Sequence, residues 1–270
     1  MVLVNGQPAD AVQASDRGLL LGDGLFETLR VRAGRPQLWP YHMERLRQGV
    51  ERLGFPGFDA SELREEVARV SQLPLAMVRV TLTRGTGPRG YAPPAQAHVT
   101  RVISGSPMPE AAFAAEGDRL RMGWAELRIG VNPVLAGLKH TSRLEHIVVR
   151  QSWEPGWDEA IVRDALGRVV SATQGNLWLR EGHTLVTPPV DQAGIAGTRR
   201  AWIMDHAPAF GFEVIETYPS RERVERADSL YVSNARLGIR PAALFGAGRP
   251  SNEWAQDPVY TMGMALDEAD

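Results

Sequence analysis

Residues Gly130–His146 read GVNPVLAGLKHTSRLEH, and within this stretch stands Lys139. The 270-residue chain carries 30 basic side chains, and Lys139 is the one lysine among them. Arginine replaces lysine in most ion pairs and brings a planar fork of donors. It cannot replace an amine that must lose its proton and add to a carbonyl carbon. An arginine-biased chain that keeps one lysine is therefore what imine chemistry would leave behind. A lysine retained by chance as a salt-bridge donor would leave the same composition. Placement adds to the first reading. Lys139 follows Leu135-Ala136-Gly137-Leu138, an apolar setting that withholds water and lowers an amine pKa. It also lies just ahead of Ser142 and Glu145, whose spacing fits a capping box opening a helix.

Outward from the lysine, the chain reads as a mixture of short strands and helices. Asn5-Gly6 predicts a hairpin turn, and LFETLRVRAGRPQLW predicts two strands joined through Ala33-Gly34-Arg35-Pro36. Met43, Leu46, Val50 and Leu53 recur at helical spacing, and Asp59 with Glu62 marks the start of a second helix. AMVRVTLTR and HVTRVIS read as strands. The stretch Gly105–Gly117, rich in small residues and proline, predicts a linker. The expected organisation is a smaller domain over residues 1–106, a linker over 107–117 and a larger domain over 118–270 that carries the lysine. In that second part a strand is expected near Leu120–Ile129. Hairpins follow, turning at Leu166-Gly167 and Glu181-Gly182, then a helix in GTRRAWIMDHA and strands in FEVIETY and DSLYVSN. Long βαβ units are scarce, which argues against a doubly wound sheet and for a mixed α+β class.

Composition excludes several functions. Cysteine is absent, so no thiolate nucleophile or thiolate zinc site exists. A formal net charge of −2 gives no electrostatic reason to expect nucleic acid or anionic lipid as a partner. The first residues, MVLVNGQPADAVQ, lack a basic head and an apolar stretch, and no run of apolar residues is long enough to span a bilayer. A cytoplasmic protein is expected. The six histidines show no metal spacing. GTGPRG at Gly85–Gly90 fits the G-x-G-x-x-G pattern, but Pro93 and Pro94 follow where a dinucleotide fold needs a helix. A loop bearing Arg89 and Tyr91 is expected there, either a plain turn or a cover over a carboxylate. IAGTRRAW would place the backbone N–H groups of Gly197, Thr198 and Arg199 at a helix start, where anions bind. A plainly capped helix with surface arginines fits the same letters.

Taken in order, SDRGLLLGDGLFETLRV, YHMERL, TRGTGPRGY, NPVLAGLKHTSRLEH, VSATQGNLWL, TPPVDQAGIAGTRR and LYVSNA resemble the fold-type IV pyridoxal-phosphate enzymes, the family of D-amino-acid and branched-chain aminotransferases. The resemblance spans nearly the whole chain. It implies the two-domain type IV fold, pyridoxal 5′-phosphate as cofactor, a homodimer, and a small substrate bearing carboxylates. It implies that Lys139 forms the Schiff base, and that Arg45, Ser171, Gly197, Thr198, Arg199 and Asn234 surround the cofactor. Arg45 and the backbone at Thr198 would hold its phosphate. Arg30, Arg89 and Tyr91 would meet the substrate. The KHTSRLE context resembles the lyase branch, which expels pyruvate from an amino-substituted chorismate to leave p-aminobenzoate for folate synthesis. Transamination and a non-catalytic ligand-binding relative are the alternatives. One departure stands out: the family places a glutamate where this chain has Ser171. A hydroxyl hydrogen-bonds the cofactor ring nitrogen without supplying the charge that keeps it protonated. That handicaps transamination more than elimination.

Overall fold

The computed structural model describes residues 1–108, 119–246 and 257–269. Within them the chain forms two compact units. The first comprises residues 1–108 together with Leu138–Arg143, and the second holds residues 119–137, 144–246 and 257–269.

The first unit is a six-stranded antiparallel sheet among the described residues, with two helices packed on it. Its strands are β1 (Val2–Val4), β2 (Gln7–Pro8), β3 (Gly24–Arg32), β4 (Arg35–Pro36), β5 (Leu75–Thr83) and β6 (Thr100–Pro107), ordered β2-β1-β6-β5-β3-β4. The β3–β4 hairpin closes on Ala33 and Gly34, both at positive φ, the backbone twist a two-residue hairpin requires. Alternate residues of β3 (Leu25, Leu29 and Val31) enter one core with Met43, Leu46 and Val50. These last three lie on one face of a helix that follows a short α1 (Arg17–Leu21), namely α2 (Trp39–Leu53). Leu63, Val67 and Val70 of α3 (Ala60–Val70) complete that core. Asp59 caps α3 by accepting N–H bonds from Ser61 and Glu62.

The second unit is an eight-stranded mixed sheet among the described residues. It contains β7 (Leu120–Ile129), β8 (Glu159–Asp164), β9 (Val169–Ala172), β10 (Asn176–Glu181), β11 (Thr184–Thr187), β12 (Glu213–Glu216), β13 (Ser229–Asn234) and β14 (Gly238–Leu244). The order is β12-β11-β10-β13-β14-β7-β8-β9, with parallel pairing at β11–β12, β14–β7 and β7–β8. Its helices are α4 (Leu144–Gln151), α5 (Thr198–His206), α6 (Arg221–Arg226) and α7 (Pro258–Glu268).

Three expectations change. The lysine segment does not cluster with the residues that follow it; backbone pairing along β3 ties Leu138–Arg143 to the first unit. Most of the expected linker, residues 109–117, lies outside the described residues, while Gly105–Pro107 belong to β6. The helix after the lysine begins at Leu144, without the capping box. The Ser142 hydroxyl donates to Gly22 O (3.3 Å), and the Glu145 carboxylate accepts the Gly130 N–H (2.7 Å), so both side chains are engaged elsewhere. Helices α1, α6 and α7 and strand β14 are additional to the elements expected from sequence.

Candidate active site

In the first unit the chemistry centres on Lys139. Its segment runs antiparallel to the start of β3: Phe26 N–H donates to Lys139 O (2.8 Å) and Thr141 N–H donates to Gly24 O (2.8 Å). The Thr141 hydroxyl adds a bond to Gly22 O (2.7 Å). The glycines of the Gly22-Asp23-Gly24 turn exist for this approach. A Cβ on Gly22 would stand 2.3 Å from Ser142 Oγ, and Gly22 has a left-handed φ of 67°. A Cβ on Gly24 would lie 3.0 Å from both Leu82 O and Thr141 Oγ1.

So placed, the Lys139 amine sits 4.4 Å from the Phe26 ring centroid, and the Arg79 guanidinium lies 3.9 Å from that same ring. The residue keeps some accessible surface, yet protein crowds the amine. Loss of water is the main force that lowers its pKa, repulsion from Arg45, Arg143 and Arg79 adds to it, and Glu27 opposes; the amine is held at about 7. A lysine with that pKa is half free base near neutrality, the condition for nucleophilic addition and for proton abstraction.

Beside it lies a buried charge network in which Glu27 and His42, not among the sequence-predicted site residues, hold the predicted Arg45. Glu27 of β3 is 1% exposed and His42 of α2 wholly buried. His42 Nδ1 lies 2.6 Å from Glu27 Oε2, Arg45 Nε donates to Glu27 Oε1 (2.8 Å), and Arg45 Nη2 bonds Oε2 as well. Burial pushes the Glu27 carboxyl up, but attraction and hydrogen bonds from Arg45 and His42 outweigh it and hold the pKa at about 2. A signal for this pair was present. Glu27 occupies a core-facing position between Leu25 and Leu29, and His42 and Arg45 are three residues apart on one helix face.

The substrate candidates divide. Arg89 and Tyr91 lie on the loop after β5, and Tyr91 is 89% exposed. No helix follows Gly90, which removes the dinucleotide reading of GTGPRG. Arg30 is 0% exposed within β3, so it offers no surface to a substrate and acts inside the unit. Arg79, on the neighbouring strand, is the arginine that the fold brings next to Phe26 and the lysine.

In the second unit Gly197 is the N-cap of α5, whose first residues Thr198 and Arg199 are buried. Glycine supplies no capping side chain to the N–H groups of the first turn. A Cβ at Gly197 would lie 2.1 Å from Asn176 Oδ1, so the close approach excludes any larger residue. That helix start leaves its first N–H groups without a side-chain cap, the arrangement that suits an anion. Ser171 of β9 is 5% exposed and paired with Val162. The turn after it is fastened by the buried Glu159, whose carboxylate accepts from Ala160, Thr173 and Gln174 N–H; burial raises its pKa against those bonds. Asn234 stands at the end of β13. Its amide donates to Gln174 O (3.0 Å) and its carbonyl accepts from Arg236 and Leu237 N–H (2.9 and 2.7 Å), which commits the side chain to the β13–β14 turn.

An antiparallel unit carrying a near-neutral lysine, and a mixed-sheet unit with a bare helix start, match a known architecture. The pattern of the family described as amino-transferase class IV matches residues 24–245, and the chain belongs to that family. The family's enzymes use pyridoxal 5′-phosphate. The crystal structure of 4-amino-4-deoxychorismate lyase from Pseudomonas aeruginosa superposes with a TM-score of 0.88 at 36% identity, covering 99% of this chain and 100% of that one. An aminodeoxychorismate lyase from Vibrio harveyi is 27% identical over 94% of this chain and 93% of its own. The branched-chain-amino-acid aminotransferase of Escherichia coli K12 is also 27% identical, over 85% of this chain and 78% of its own. No helix among the described residues is long and apolar enough to cross a membrane.

Proposed function

We propose that this chain is a pyridoxal-phosphate-dependent aminodeoxychorismate lyase, converting 4-amino-4-deoxychorismate to p-aminobenzoate and pyruvate. The observation that carries the reading is the single lysine, its amine held near pH 7, in a chain that aligns end to end with a lyase of that name. When bound, the cofactor supplies an aldehyde for imine exchange and a ring that draws electrons from the substrate carbon bearing nitrogen. Lys139 is the attachment point. With the cofactor bound, the Lys139 amine would be the base placed to remove the proton from that carbon. The ether C–O bond then breaks, the enolpyruvyl group leaves and takes up a proton as pyruvate, and the six-membered ring becomes aromatic. In the first unit Arg45, held by Glu27, would bind the cofactor phosphate; in the second unit the backbone at Gly197, Thr198 and Arg199 would suit the same group, and the Ser171 hydroxyl would be the partner of the ring nitrogen. Arg89 and Tyr91 receive the substrate carboxylates.

Pyruvate and p-aminobenzoate should appear together from aminodeoxychorismate with the native protein. With Lys139→Ala the rate should fall by at least about a thousandfold, as expected when a nucleophile and base are lost together. Product formation by Lys139→Ala at the native rate would end the proposal. Transamination is the second reading, supported by the equal identity to the E. coli aminotransferase. An amino acid supplied without a keto-acid acceptor separates them: a transaminase releases one equivalent of keto acid per site, and the lyase releases none.

We also infer a cytoplasmic homodimer. Leu19, Leu20 and Leu21 of α1 are 65%, 62% and 41% exposed, and α4 shows Leu144 and Ile147 at 71% and 52%. Such side chains on two helices are what a subunit contact would cover. Sedimentation giving a monomer at micromolar concentration would refute the dimer.

A further inference from the structure

One side chain holds the loop that displays Arg89 and Tyr91. Arg17, the first residue of α1, is 4% exposed. Its Nη1 donates to Gly90 O (3.1 Å) and Ala92 O (3.2 Å), and its Nη2 donates to Tyr91 O (3.0 Å). Its Nε donates to Asp23 Oδ2 (2.8 Å). Three successive carbonyls and one carboxylate thus converge on a single guanidinium, while Arg89 and Tyr91 remain exposed. The main chain joins the same contact: Arg17 N–H donates to Gly85 O (2.8 Å), and Asp16 bridges Thr86.

The glycines of GTGPRG find their reason here. A Cβ on Gly87 would stand 3.0 Å from Arg17 Cδ, so the arginine stem lies against bare backbone. A Cβ on Gly85 would meet His98 O at 1.9 Å, and Gly90 turns the chain with a left-handed φ of 96°. Asp23 is anchored independently of Arg17. Arg84 Nε donates to the same Oδ2 (2.8 Å), and its remaining nitrogens bind Leu53 O and Gly54 O at the end of α2 (both 2.8 Å).

We propose that Arg17 is a positioning residue for substrate recognition: it fixes the 85–92 loop so that Arg89 and Tyr91 meet a dicarboxylate in a preset geometry. The substrate half of this statement rests on the function proposed above; the clasp itself does not. A loop already ordered loses less conformational freedom on binding, so the clasp acts on KM more than on kcat. A lysine cannot substitute, because one ammonium has no planar fork to reach four acceptors spread around it.

The test compares Arg17→Gln and Arg17→Lys with the native protein, all saturated with pyridoxal 5′-phosphate, in two measurements. Limited trypsin digestion followed by mass spectrometry reads cleavage of the exposed Arg89–Gly90 bond. Both variants should be cut at least about tenfold faster there, equivalent to ~1.4 kcal/mol of lost loop restraint. Steady-state turnover of aminodeoxychorismate should show KM raised about tenfold and kcat changed by less than about threefold, with the lysine variant not restoring KM. Arg17→Lys keeps a cation beside Asp23 and a stem beside Gly87, so it reports even where the glutamine variant fails to fold. Unchanged cleavage overturns the clasp. Faster cleavage with native KM overturns the recognition role. A native protein with no lyase turnover would sink the function proposed above, while the cleavage result would still decide the clasp.

Discussion

At the scale of single residues, the site depends on a pair of shifted ionisations. In cofactor-free protein, reaction of Lys139 with an amine-selective reagent should follow a midpoint near pH 7 instead of above 10, because the amine is already half deprotonated there. Mass spectrometry of the Lys139 peptide across pH checks this. Glu27 carries the opposite kind of shift. Its folded pKa of about 2 lies below the ordinary 4.5, so the folded state binds fewer protons than the unfolded one between those values. The stabilisation is fully present above about pH 4.5 and is lost as pH falls towards 2, an effect on the order of 3 kcal/mol. Urea unfolding against pH should show that loss, and Glu27→Gln should be less stable near neutrality and nearly flat over the same acid range. Ser171→Glu tests the residue that departs from the family. A carboxylate there should bring transaminase turnover without raising the lyase rate. Lyase activity that rises while transamination stays absent would show that the missing charge is not what separates the two reactions.

At the scale of elements, the start of α5 in the second unit is tightly constrained. Gly197→Ala forces a Cβ to 2.1 Å from Asn176 Oδ1, and Asn176 is itself tied to Ile195 O (2.9 Å). The expected outcome is weakened pyridoxal-phosphate binding by about tenfold or more, read by fluorescence titration, as a misplaced helix start loses aligned N–H donors. Local signals made many elements legible. The 3.6-residue recurrence of Met43, Leu46 and Val50 placed α2, and Asp59 placed the start of α3, where its side chain does cap Ser61 and Glu62. The capping box read at Ser142 failed because its two members make longer-range bonds, to Gly22 O and from Gly130 N–H. Periodicity and capping patterns count only near neighbours, so a competing partner more than a hundred residues away is invisible to them.

At the scale of the molecule, the chain forms two compact units and passes between them more than once. The polypeptide leaves the first unit, begins the second, returns for Leu138–Arg143, and leaves again. A boundary drawn from composition places a linker at one point and assigns everything after it to one domain. It cannot see a six-residue return, because that return is held by backbone hydrogen bonds and by glycines without side chains, not by an apolar pattern of its own.

The order of motifs and the uniqueness of one lysine were set by the amino-acid sequence alone, since the chemistry of an amine does not depend on its surroundings for its kind. Its strength does. Only the tertiary structure decided that Lys139 lies against Phe26 among Arg45, Arg79 and Arg143, that Glu27 is a buried anion held by His42 and Arg45, that Arg30 is sealed off and Asn234 committed to a turn, and that Arg17 grips three carbonyls. Burial and Coulomb interaction depend on distance through space, and residues far apart along the chain acquire those distances only when the sheet forms.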